Sequence, residues 1–158
     1  MFRITSLLFL VCLLAAPGYA AQEDEINYLD LAALMLRDGN LDRAVIALDQ
    51  MPLDEEGVDL LRYYTLRGMA HLRREEPEPA IAALEMAITT GQAESVVYVY
   101  LAQAYFELER YRDVLRTLEA VWSELDKVAS VYHMRAQCHW LLDEPGEAMA
   151  VLDQASAT

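Results

Sequence analysis

From about residue 27 onward, apolar positions recur every three or four residues rather than alternately, which is the period of amphipathic helices. The pattern also repeats on a longer scale. Four segments begin alike: Tyr28-x-x-Leu31-Ala32, Tyr64-x-x-Arg67-Gly68, Tyr98-x-x-Leu101-Ala102 and Tyr132-x-x-Arg135-Ala136. Their small residues Ala32, Gly68, Ala102 and Ala136 lie 36, 34 and 34 residues apart. Three further columns keep the same step: Met35, His71, Tyr105, His139; then Ala44, Ala80, Val114, Ala148; then Leu48, Leu84, Leu118, Leu152. Four columns in register across four copies define a structural repeat of about 34 residues.

Each copy predicts two short helices. In the first, the Tyr, the small residue and the residue three further on fall at i, i+4 and i+7 on one face. Turn residues follow: Asp38-Gly39-Asn40, Glu75-Glu76-Pro77, Glu109-Arg110 and Asp143-Glu144-Pro145-Gly146. Gly39 suits a left-handed cap. Pro77 and Pro145 suit the first position of the next helix, where a missing N–H costs nothing. Gly91 marks a helix stop. Val96-Val97-Tyr98-Val99 alone has strand character, but it lies in register with three helical copies. Two antiparallel helices approach closely only where neither carries bulk, which explains the paired small columns. One hairpin cannot bury its own apolar face, so at least three must stack. The extra length of the first copy falls in Pro52-Leu53-Asp54-Glu55-Glu56-Gly57, which reads as a loop. The expected fold is all-α, a solenoid of about four helix-turn-helix repeats at residues 25–57, 61–92, 95–126 and 129–155, within one domain at 21–158.

These columns resemble the tetratricopeptide repeat (TPR) family over residues 25–155, nearly the whole chain after its first segment. Departures are Arg67 and Arg135 where the family has Leu, Val114 in the second small column, and no Pro at the repeat end. The resemblance implies a concave groove lined by the first helices. Carried residue by residue, it assigns to that groove Arg37 from the first copy, Arg62, Thr65, Met69 and Arg73 from the second, Val99, Gln103 and Phe106 from the third, and His133, Gln137 and Trp140 from the fourth. Arg beside Trp and Phe is a composition typical of binding surfaces. Amides such as Gln103 and Gln137 suit an extended peptide backbone.

Residues 1–20 differ from the rest. Arg3 precedes a run of thirteen residues, 4–16, with only Thr5 and Ser6 polar, and Gly18-Tyr19-Ala20 places small residues before a cut at Ala21. This is the layout of a cleaved secretory signal peptide, too short for a stable membrane span. The Val11 that precedes Cys12 argues against a lipid anchor, and removal of the leader leaves Cys138 as the one cysteine, expected to be a buried apolar residue. An exported protein without disulfides best fits a bacterial periplasm.

Charge narrows the partners. Twenty-six acidic residues face twelve basic ones, a net −14, which argues against nucleic acid and anionic lipid. Many acids fall at the turns, among them Glu75, Glu76, Glu109, Asp113, Asp143 and Glu144, and are expected to form a solvated rim. Phosphate loops, nucleophile elbows and paired-Cys zinc patterns are absent from the sequence. His133, Cys138 and His139 point about 140° and 240° apart around a helix and do not converge on one metal. His71 and His139 are expected as packed histidines. No catalytic residue, metal or cofactor is therefore expected. The reading is a non-enzymatic scaffold or adaptor of the cell envelope, in secretion, pilus or envelope assembly, that holds a peptide segment of a partner protein. The alternative is a structural subunit that assembles, with itself or another protein, through its last repeat, where Ala148, Met149, Val151 and Leu152 form an apolar strip with no capping helix after it.

Overall fold

The computed structural model describes residues 27–91, 93–126 and 128–157; the leader segment expected at residues 1–20 lies outside the described residues. Helices pair as the columns require: α1 Tyr28–Arg37 with α2 Leu41–Asp49, α3 Leu60–Arg73 with α4 Pro77–Thr90, α5 Ser95–Glu107 with α6 Tyr111–Glu119, and α8 Ala129–Leu141 with α9 Pro145–Ala157. A single turn, α7 Trp122–Leu125, follows α6. There are no strands among the described residues, and Val96–Val99 lies inside α5.

The small columns are where the helices cross. Ala32, Ala44, Ala80, Ala102 and Val114 are wholly buried. A Cβ added to Gly68 would lie 2.5 Å from Leu84 Cγ, so α3 and α4 meet closer than any side chain at that position permits. Stacking then joins neighbouring hairpins. Tyr63, Leu66 and Ala70 of α3 share a core with Leu29, Leu36 and Leu48 of the first pair. Val97 and Ala104 of α5, and Val131 and Cys138 of α8, continue the same arrangement into a second core with Leu72, Leu84 and Leu118.

One turn geometry closes every hairpin. Gly39, Glu75, Glu109 and Asp143 take φ of 77°, 60°, 58° and 61°. They recur at the repeat spacing. In each copy the next N–H bonds five residues back, Asn40 to Met35 O, Glu76 to His71 O, Arg110 to Tyr105 O and Glu144 to His139 O, at 2.8–3.0 Å. This is the Schellman motif, which satisfies helix-end carbonyls around one left-handed residue. Glycine fills that position without strain only in the first copy. Pro77 and Pro145 start their helices as expected, and α4 ends before Gly91, whose backbone is extended.

The third copy differs from expectation. Its second helix stops at Glu119, and the chain turns again through α7. This rotation buries Val121 and Leu125 and sets the Trp122 ring edge-on to Tyr132 at 4.9 Å, with the Arg135 guanidinium over it at 4.0 Å.

Candidate interaction surface

The first helices form one surface, with α3 packed between α1 and α5. Their exposed residues divide into those tied to the stack and those left free. Arg62 bonds Asp30 across α1 and α3 at 2.6 Å. Arg73 donates to the carbonyl of Leu36, and Thr65 donates its hydroxyl to Leu61 O at 2.7 Å. Arg37 reaches only Asp38, 3.2 Å away. Arg62 and Arg73 are thus ties between the first two repeats as well as surface cations.

Between α3 and α5, Met69, Leu72, Arg73, Tyr100 and Gln103 surround a cleft of about 180 Å³. A second cleft of about 270 Å³ adjoins it around Arg62, Thr65, Glu94 and Val96. Larger hollows lie between the starts of α1 and α3 and the Pro52–Gly57 loop, bordered by Arg62, and at the first turn beside Arg43. Val99 is half-buried against the core, and Phe106 stands edge-on to Tyr111 at 5.5 Å. Gln103 lies 3.3 Å from Glu107, which leaves most of its amide free. His133 and Gln137 are exposed on α8, and Trp140 is 67% exposed. Tyr100 is not among the expected groove residues. The signal that finds it is its column, shared with Leu66 and Met134 at the repeat boundary.

Of the turn acids, Glu75, Glu109 and Asp143 are exposed, whereas Glu76, Asp113 and Glu144 are half-buried. His71 Nδ1 meets Glu76 Oε2 at 2.7 Å, and His139 Nδ1 meets Glu144 Oε2 at 2.8 Å. The Schellman turn brings residues five apart together, so one turn makes the same pair twice. In the third copy the matching pair is Tyr105 and Arg110, the guanidinium 4.5 Å from the ring. The His71 hydrogen bond, aided by Arg74, holds the Glu76 carboxyl below the usual carboxylate range despite some desolvation. Burial and a 2.5 Å hydrogen bond to Glu85 push the Tyr105 hydroxyl up to about 12. Burial alone pushes the Cys138 thiol up to about 11, leaving it protonated and unreactive at neutral pH. Among the described residues no cluster of His, Cys, Asp and Glu is placed to hold a metal ion. No helix among them is long and apolar enough to cross a membrane.

The two arginines that depart from the family pattern reach backward in the stack. Arg67 bonds Asp49 at 2.9 Å and Tyr63 Oη at 2.5 Å. Arg135 bonds Glu119 at 3.3 Å. Burial works against the Arg67 charge, but Tyr63 and Asp49 outweigh it and raise its affinity for the proton.

This is the architecture of a TPR-type α-solenoid. The fold is similar to that of the solved structure of MamA, a TPR-containing protein, with a TM-score of 0.73 over 81% of this chain and 69% of that one, at 19% identity. No family model matches the sequence, and no curated protein does.

Proposed function

We propose that this chain is a non-enzymatic interaction scaffold, exported through its leader to the bacterial periplasm, that takes an extended segment of a partner protein along its first helices. The observation that carries this reading is the cleft at Met69, Tyr100 and Gln103, where apolar walls adjoin a largely free amide. Apolar walls give affinity for side chains, and amides pair with a peptide backbone. Arg37 and Arg73, at the adjoining C-terminal ends of α1 and α3, offer positive charge on an otherwise acidic molecule and favour an acidic or C-terminal carboxylate segment. Photo-crosslinking groups placed at Met69 and Gln103, with Ala82 on the opposite side as control, test it. A protein captured at the first two sites and not at the third supports the groove; equal capture at all three removes it. Amino-terminal sequencing of the mature protein tests export, with Ala21 expected first.

A second reading has its own observation. Leu152 is 44% exposed while Leu48, Leu84 and Leu118 of the same column are wholly buried, which favours assembly through the last repeat.

A further inference from the structure

The two ends of the stack are built differently. At the first repeat, two of the columns that later copies bury against the preceding repeat turn polar, while the column of Ala70, Ala104 and Cys138 holds Leu34, 40% exposed. Asn27 stands where the others have Tyr63, Val97 and Val131, and Asp30 stands where they have Leu66, Tyr100 and Met134. That is how a solenoid end is made to face water. At the last repeat no such change occurs. Leu152 keeps the column of Leu48, Leu84 and Leu118, and Met149, 58% exposed, keeps that of Val45, Ile81 and Leu115. Trp140 keeps that of Leu36 and Leu72, both buried, and of Phe106.

A fourth column carries charge. Asp49, Glu85, Glu119 and Asp153 are all acidic and all lie in the second helix of their copy. Three are answered by the next repeat, Asp49 by Arg67, Glu85 by the Tyr105 hydroxyl and Glu119 by Arg135. Asp153 is exposed at the end of the series.

We propose that the outer face of α8 and α9 docks an amphipathic helix of a partner protein, and that this helix carries large apolar residues at i and i+3, an arginine at i+4 and a small residue at i+7. The face continues the interfaces inside the stack, and two of the helices that cover it there have this pattern: Tyr63-x-x-Leu66-Arg67-x-x-Ala70 and Val131-x-x-Met134-Arg135-x-x-Cys138. The apolar residues cover Leu152 and Met149, the small one lets the helix approach, and the arginine answers Asp153. A second copy of this chain lacks that chemistry. Its leading helix offers Asp30 and Leu31 where Leu66 and Arg67 stand, which sets a carboxylate near Asp153 without an arginine. Two last repeats face to face oppose Asp153 to itself. This deepens the assembly reading above by naming the partner's chemistry; the face meets the groove at Trp140 and is separated from it by Leu152, Met149 and Asp153 on α9.

The test uses the full chain and a synthetic peptide of the Leu60–Arg73 sequence, which covers the equivalent face of the first repeat. Titration is followed by tryptophan emission, with Trp140→Phe as the control that removes the reporter. A saturable blue shift is expected, weakened about tenfold or more by Leu152→Glu in the chain or by glutamate in place of the peptide's arginine at i+4. Asp153→Arg is expected to restore binding of that glutamate peptide, a rescue that general stickiness does not produce. Sedimentation of the chain alone is expected to show a monomer at all concentrations. An absent shift, or a shift indifferent to the charge exchange, overturns the proposal. A dimer of the chain that Leu152→Glu dissolves also overturns it, but leaves assembly through the last repeat standing; a monomer that binds no peptide removes both.

Discussion

Glu109 is held at a φ of 58°, where a side chain with a Cβ costs about 1–2 kcal/mol and glycine costs nothing. Glu109→Gly therefore relieves strain, while the greater freedom of glycine in the unfolded chain takes back part of the gain. The net effect expected is a stabilisation of about 0.5–1 kcal/mol, read as a higher urea midpoint. Glu76 supplies a pH signature at the neighbouring turn. Its carboxyl is held below its ordinary value of 4.5, first by the His71 hydrogen bond, so the folded state favours the ionised form. The stability it contributes is present above pH 4.5 and is lost as pH falls through the lower folded-state value. Glu76→Gln is expected to flatten stability against pH in that acid window, measured by urea unfolding across it. The histidine–glutamate pair was hidden from a helical reading, because residues five apart diverge on a continuous helix and meet only after a left-handed turn.

At the scale of helices, Gly68 and the leucine column separate crossing from stacking. Alanine at Gly68 improves helix propensity by about 1 kcal/mol, yet its Cβ would lie 2.5 Å from Leu84 Cγ and 2.7 Å from Cδ2, and Leu84 is wholly enclosed. Overpacking wins, and Gly68→Ala is expected to cost about 1–3 kcal/mol, with Glu78→Ala on the exposed side of α4 within about 0.5 kcal/mol of wild type. Stacking predicts a contrast within one column. Leu118→Ala empties a closed site and is expected to cost about 2–5 kcal/mol, whereas Leu152→Ala, already 44% exposed, costs about 1 kcal/mol or less. Denaturant unfolding of the two variants side by side measures it. Crossings were legible in the sequence because a steric demand recurs at fixed spacing. The break between α6 and α7 was not, since Ala120-Val121-Trp122 contains neither Gly nor Pro and the turn is imposed by Tyr132 and Arg135 on another helix. Arg67 and Arg135 read as departures for the same reason: Asp49 and Glu119, the acids they bond, belong to the preceding copy.

Across the whole molecule, stability in a solenoid is close to a sum of repeat terms and nearest-neighbour interfaces, so each repeat is as secure as the neighbours it has. The groove residues were legible only as positions on a helix; which of them are spent on stacking depends on such neighbours, as Arg73 shows by reaching the carbonyl of Leu36 in the previous repeat. The second and third pairs are covered on both sides. Among the described residues the first pair has one neighbour, but its open side is polar at Asn27 and Asp30, and Arg62–Asp30, Arg67–Asp49 and Arg74–Asp42 bind it to the second. The last pair also has one neighbour among the described residues, and its open side is apolar at Met149 and Leu152. Its own core within the described residues is small, built on Tyr132, Ala136 and Val151. Local opening draws on the least-supported element first. Amide hydrogen exchange is therefore expected to be slowest in α4 and α5, intermediate in α1 and α2, and fastest in α9, rather than equal at the two ends. Leu152→Glu leaves that order in place, because Leu152 contributes little while its side is open. Saturation with the Leu60–Arg73 peptide reverses the order of the ends: α9 gains protection on binding while α1 and α2 do not, since a ligand suppresses only those openings that require its release. Equal protection at both ends of the free chain contradicts the asymmetry between the polar first face and the apolar last one.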